Sequence, residues 1–309
     1  MGAKKETAAA RPDLPVWRSL LYVPANNPRF IDKAHTRGAD AIILDLEDSV
    51  PAAERDRARA MVAQSADKVS QGGADVVVRI NRPDADAEKD LGAAVIPGVT
   101  ALMLPKVDDG KHVCALADQV AALEKQRGME PGVMKFVVMV ESPAALFKAA
   151  DIAAAHPRNV AAFLGGEDFA TAAGMVPDPE TLFLPKLLTL FAARAAGIVP
   201  LGMIGTVADY RDLGAVRDNI RRSRRFGFEG ASCIHPSVVA LLNEEMSPGT
   251  EEVDRAERIV DAYGKAEEEG IGAIAVDGMM IDVPVAERAK ALLRRHAAIR
   301  ARDAKGGDS

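Results

Sequence analysis

Short runs rich in Val, Ile, Leu and Ala recur along the chain at residues 19–23, 41–44, 75–80, 101–104, 135–140, 160–164, 198–204 and 231–234. Several are almost continuously apolar, the pattern of strands buried on both faces. Longer amphipathic stretches separate them. Pro28 and Pro51 fit first helical turns, and residues 52–68, 115–127, 142–155, 181–196 and 212–226 keep helical period. Eight strand–helix units predict a closed parallel barrel, an α/β fold of the (β/α)8 (TIM barrel) type. The competing arrangement is an open doubly wound sheet. It usually carries a Gly-rich loop after its first strand, and Pro24-Ala25-Asn26-Asn27 is not one.

After Glu245 the pattern changes. A charged helix over 251–269 is followed by Gly270-Ile271-Gly272, a short run at 273–276 and a last helix from Val283 to about Arg300. This divides the chain into a tail (1–15), a barrel (16–246), a C-terminal helical extension (247–302) and a second tail (303–309).

Polar residues fall where a barrel keeps its active groups, just beyond the C-terminal ends of the strands. In order these ends carry Tyr22; Asp45, Glu47 and Asp48; Arg79; Lys106; Glu141; Glu167 and Asp168; Thr206; and His235. Two carboxylates facing one cavity need a proton or a cation between them. Glu141 and Asp168 could therefore hold magnesium, which takes one or two carboxylates and keeps waters. They could equally cap the helices that follow. Arg79 could clamp a substrate carboxylate with its planar fork, or pair with the Asp45–Asp48 cluster. Glu47 and Asp48 could orient metal-bound water, or act as helix caps. Lys106 suits an ion pair better than a Schiff-base role, since nothing nearby argues for a lowered pKa. His235 reads as a packed, hydrogen-bonded histidine. No Ser/His/Asp order, P-loop or H-E-x-x-H appears.

Composition narrows the class. With 309 residues, 48% of them hydrophobic, the chain can bury a large core. Its 39 Lys and Arg against 45 Asp and Glu leave a net charge of −6, which gives no broad field for nucleic acid or anionic membranes. Cys114 and Cys233 have no metal-like or C-x-x-C spacing, and no secretory h-region or membrane-length run is present, so a reducing, cytoplasmic setting is expected.

The strand-end motifs together resemble the citrate lyase β-subunit-like family, with its malyl-CoA and citramalyl-CoA lyases, within the HpcH/HpaI aldolase superfamily. They are Arg18-Ser-Leu-Leu-Tyr-Val-Pro, Leu44-Asp-Leu-Glu-Asp-Ser-Val-Pro, Val78-Arg-Ile-Asn, Leu104-Pro-Lys, Val140-Glu-Ser, Gly165-Gly-Glu-Asp-Phe-Ala, Cys233-Ile-His-Pro and Gly278-Met-Met-Ile-Asp-Val-Pro. They span nearly the whole chain in order. The resemblance implies Mg2+ held by Glu141 and Asp168, an oxo-acid held by Arg79 and the metal site, and coenzyme A held near Tyr22 and Lys33. It places Asp282 on a C-terminal lid that closes over a neighbouring subunit of a homotrimer or hexamer. Asn27 stands where malyl-CoA lyases have a basic residue, and the turn at Pro200–Thr206 lacks an expected Asp.

These parts suit a carbon–carbon lyase that cleaves or forms a 3-hydroxyacyl-CoA such as malyl-, citramalyl- or citryl-CoA, with an acyl-CoA and a 2-oxo acid as the other partners. Arg79 would stabilise growing oxygen charge and Asp282 would move the proton on the acyl carbon. Three alternatives share the motifs: a metal-dependent aldolase on free hydroxy-oxo acids, an acyl-CoA thioesterase, and a non-catalytic acyl-CoA-binding subunit.

Overall fold

The computed structural model describes residues 14–82, 84–205 and 210–307; the expected first tail falls mostly outside these residues, as does Thr206. Two compact units divide between Met246 and Ser247.

The first unit is the expected barrel. Its strands are β1 (Ser19–Pro24), β2 (Ala41–Asp45), β3 (Asp75–Arg79), β4 (Ala101–Leu104), β5 (Lys135–Val140), β6 (Asn159–Leu164), β7 (Val199–Pro200) and β8 (Ala231–Cys233). They form one parallel sheet in the order β7-β6-β5-β4-β3-β2-β1-β8. A bridge between Leu201 and Gly230 joins the two ends of that order and closes the ring. β7 is shorter than its apolar run because Pro200 has no N–H to pair and Gly202 turns away at a φ of 142°. Gly230 admits no side chain: a β-carbon there would lie 1.8 Å from the Trp17 carbonyl oxygen.

Alternation along each strand builds two cores. Leu20, Ile43, Val77, Met103, Val137 and Met139 fill the barrel interior, while Leu21, Ile42, Val76, Leu102 and Val138 pack against the helices outside. Leu14 packs against the interior cluster. The N-terminal face is clamped by buried ion pairs. Arg18 grips both oxygens of Asp40 at 2.8 and 2.9 Å, and Arg158 grips both of Glu124 at 2.7 and 2.6 Å.

The helices differ in detail from their sequence pattern. The stretch 142–155 splits into Pro143–Leu146 and Ala149–Ala154. Helices at Asp84–Ala94 and Gly166–Ala173 are additional.

The second unit packs the helix Thr250–Glu268 and the helix Val283–Gly307 with a hairpin of β9 (Ile274–Val276) and β10 (Met279–Ile281). Asp277 and Gly278 turn the hairpin at φ of 50° and 75°, the Asp-Gly signature of a tight hairpin. Ile259, Tyr263, Ile281 and Ala286 form its core. The last helix runs to Gly307 instead of ending near Arg300, because Ala301–Lys305 contains only helix-compatible residues and glycine first recurs at Gly306. Among the described residues no helix is long and apolar enough to cross a membrane.

Candidate active site

Strand parity decides which polar groups enter the barrel mouth. Tyr22, Asp45 and Arg79 continue the inward rows of β1, β2 and β3, and Glu141 and Gly165 those of β5 and β6. Asp45 and Arg79 are also direct register partners. They form a two-pronged pair, Nε to Oδ1 at 2.7 Å and Nη2 to Oδ2 at 2.7 Å. The remaining nitrogen, Nη1, lies 2.9 Å from Glu47 and 3.3 Å from Asp48. The pairing of Arg79 with the acidic cluster is thus realised.

The guanidinium sits 4.9 Å from the centre of the Tyr22 ring. Tyr22 in turn donates its hydroxyl to Met103 Sδ at 3.3 Å and lies inside the mouth. Burial raises its hydroxyl pKa. Burial alone would weaken the Arg79 charge, but Asp45, Tyr22 and Glu47 outweigh it, so the guanidinium stays firmly cationic. Asp45 is likewise pushed up by burial, yet Arg79 and Ser49 hold its carboxyl below the usual range.

Glu141 is 4% exposed and does not cap a helix; Ser142 does, accepting from Ala145 N at 3.1 Å. Its Oε2 accepts the Lys106 backbone N–H. Gly165 lies flat against the rest of the carboxylate. Burial, then Asp168 and Glu47, pushes Glu141 up to about 8 despite that N–H. Asp168 is half-exposed and sits in the first turn of Gly166–Ala173, so it does occupy a helix N-terminus. Glu47 is buried, and burial raises its pKa against the pull of Arg79 and Lys106. Its Oε2 makes no aligned hydrogen bond.

Lys106 stands among these acids, 2.6 Å from Glu47 and 3.8 Å from both Asp48 and Asp168. Burial lowers its pKa, but Glu47 and its neighbours raise it further, so the amine is no nucleophile. His235 is exposed, stacks on Tyr210 at 4.8 Å, and shares a 2.7 Å contact with Ser237.

A cavity of about 390 Å³ opens at this mouth, lined on one arc by Tyr22, Arg79, Glu141 and Asp168. Its other arc is apolar, with Phe163, Leu201, Phe228 and Ile234. Lys186, which the sequence pattern left on an ordinary helix, also lines it. The residue is 7% exposed, and its ammonium donates to the carbonyls of Met203 at 2.7 Å and Gly205 at 2.5 Å, fastening the segment after β7. Burial lowers it to about 8, with Glu167 pulling the other way. The only sequence signal was a lysine set among Phe183, Leu184, Leu187 and Leu188.

One expected residue of this unit does not line the cavity. Lys33 is exposed in the last turn of the helix Pro28–Ala34 and does not line it. Asp282 belongs to the second unit, where it accepts from Val285 N at 3.3 Å and starts the last helix. Among the described residues no three His, Cys, Asp or Glu side chains converge as a ready metal cage; Glu141 and Asp168 both line the cavity.

Known proteins resemble this chain in sequence and fold. The family model for HpcH/HpaI aldolase/citrate lyase matches residues 18–236. The citrate lyase subunit beta of Escherichia coli (strain K12) is 33% identical over 281 residues, covering 90% of this chain and 92% of that protein. A (3S)-malyl-CoA thioesterase of Cereibacter sphaeroides is 32% identical over 269 residues, covering 86% and 90%. The structure of CitE from Mycobacterium tuberculosis in complex with magnesium, acetoacetate and coenzyme A superposes with a TM-score of 0.71 at 28% identity, covering 92% of this chain and 99% of that one. The chain belongs to the HpcH/HpaI aldolase/citrate lyase family and is a lyase.

Proposed function

We propose that the protein is a magnesium-dependent carbon–carbon lyase that cleaves or forms a 3-hydroxyacyl-CoA, with an acyl-CoA and a 2-oxo acid as the other partners. One observation carries this reading: the Glu141 carboxylate is buried beside Asp168 and Arg79 in a single mouth, with a pKa pushed up to about 8. A buried acid of that kind needs a proton or a cation beside it. The donors fit magnesium, which takes two carboxylates and leaves its other positions to water and substrate oxygens. Glu47 Oε2, ion-paired with Arg79 but without an aligned hydrogen bond, is a further acceptor for such a water. The relatives named for citrate lyase and malyl-CoA chemistry, and the magnesium-bound CitE structure, support the same reading.

Glu141 and Asp168 hold the metal, which supplies Lewis-acid stabilisation of the oxo-acid oxygens when bound. Asp45 locks the Arg79 fork, so its charge is preorganised for oxygens that gain charge as the bond breaks. The apolar arc excludes water and takes the carbon skeleton. Tyr22 lies beneath Arg79 on the thioester side, and the exposed Lys33 meets the anionic part of coenzyme A. Asp282 moves the proton at the acyl carbon, acting on a neighbouring subunit. Leu184, Leu188 and Phe191, 62, 41 and 57% exposed along one helix, support assembly into a trimer or hexamer.

A second reading, a thioesterase on the same site, is favoured by the malyl-CoA thioesterase relative. One experiment separates them. The protein is incubated with magnesium and malyl-, citramalyl- or citryl-CoA in turn, and products are identified by mass. The lyase gives an acyl-CoA and a 2-oxo acid from one of them; the thioesterase, by adding water, gives the free hydroxy acid and coenzyme A. No product from any of the three would refute both.

A further inference from the structure

Lys106 is the one described non-glycine residue of the barrel unit with a positive φ, at 50°. A lysine gains nothing from that conformation, which side chains other than Asn and Asp seldom adopt. The residue makes contacts on two sides. Its N–H donates to Oε2 of Glu141. Its ammonium lies within 4 Å of three carboxylates: Glu47 at 2.6 Å, Asp48 at 3.8 Å and Asp168 at 3.8 Å. One hydrogen bond to Glu47 would satisfy a structural lysine. The wider placement is that of a counter-ion shared among acids. Five acidic side chains, Asp45, Glu47, Asp48, Glu141 and Asp168, meet at this mouth, and Arg79 is already committed to Asp45.

We infer that Lys106 is a positioning residue that stands in for the divalent cation: its backbone N–H fixes Glu141, its ammonium gathers Glu47, Asp48 and Asp168, and metal binding displaces that ammonium. This rests on the proposed metal role of Glu141 and Asp168. The ammonium and the metal compete for the same negative charge, so the lysine keeps the site assembled while holding metal affinity down. The relationship has a sign that a purely structural role lacks. Removing a strut loosens the carboxylates and weakens metal binding; removing a competing cation strengthens it.

The test uses full-length Lys106→Asn and Lys106→Arg. Asn tolerates the left-handed backbone, so the N–H to Glu141 survives while the charge goes. Arg keeps the charge. Magnesium affinity is measured by calorimetry, with Mn2+ by electron paramagnetic resonance as a second probe. Lys106→Asn is expected to bind Mg2+ about tenfold more tightly, and Lys106→Arg to stay within about threefold of the parent. Unchanged or weaker binding by folded Lys106→Asn overturns the inference. A separate control addresses the reading beneath it: metal binding that persists in Glu141→Gln/Asp168→Asn places the metal elsewhere, and both claims then fall.

Discussion

Gly165 presses on Glu141 so closely that a β-carbon would lie 2.4 Å from Oε1, 2.6 Å from Cγ and 2.9 Å from Cδ. The Gly165 backbone, at φ −77° and ψ 94°, would accept alanine without strain. Gly165→Ala therefore tests the site without testing the fold. The Glu141 carboxylate must swing away, and Mg2+ affinity should drop by about tenfold or more, roughly the value of one well-placed charged contact. Calorimetry beside a thermal melt checks this; wild-type affinity in the variant would mean that Glu141 is no ligand.

Arg79→Lys keeps the charge but loses the fork that engages both oxygens of Asp45. Turnover should fall by about 10²–10³-fold, the scale of a lost preorganised donor. Oxo-acid KM should rise with it. Near-normal kinetics would reduce Arg79 to a strut for the acidic cluster.

Asp282→Asn separates chemistry from helix capping, because Asn caps about as well as Asp. The variant should fold, assemble and bind Mg2+, yet lose most of its turnover, about 10²-fold or more for a missing proton-transfer group. Mixed assemblies with Glu141→Ala should regain partial activity if one subunit supplies Asp282 and another the metal. Absence of rescue in assemblies verified by mass spectrometry would sink the shared arrangement.

Acid stability should depend on Glu124, at the opposite end of the barrel. Burial pushes its carboxyl up, but Arg158 and the N–H groups of Gly132 and Met134 pull it below the ordinary glutamate value. A depressed carboxylate contributes stability that is complete above its unfolded pKa of about 4.3 and is lost as pH falls through the folded value. Glu124→Gln should cost about 3 kcal/mol at pH 7, since it strands a buried Arg158. That difference should shrink below pH 4. Urea unfolding across pH measures it, and a constant difference would contradict the assignment.

The barrel was legible because buried parallel strands leave unbroken apolar runs, and all eight runs contain a strand. The polar residues at their ends followed from the same register, which is why Tyr22, Arg79, Glu141 and Asp168 meet in one mouth. Contacts between strands were not legible. Nothing in the composition says that Asp45 takes the Arg79 fork, that Gly165 shapes the space of Glu141, or that Lys186 turns inward to three consecutive carbonyls. Those depend on side-chain reach across the barrel. The helix Asp84–Ala94 was hidden for a different reason: its buried stripe is only Ala87, Leu91 and Ala94, and Asp86 and Asp90 beside it are paired with Arg59.

The closure at Leu201 and Gly230 gives the ring unequal sides. β1, β2 and β3 are joined through five register pairs at each step, and β5 and β6 likewise, whereas β6 and β7 share two and β7 meets β8 through one bridge. The charged groups stand on the well-laced arc; much of the apolar lining stands near the loosely laced one. Inheritance can act on the two arcs separately. Substitutions around Leu201, Met203 and Phe228 can reshape the space for the carbon skeleton with few ladder bonds at stake, while Arg79 and Glu141 stay where they are. A lineage built on this ring can change what it accepts without relearning how it reacts.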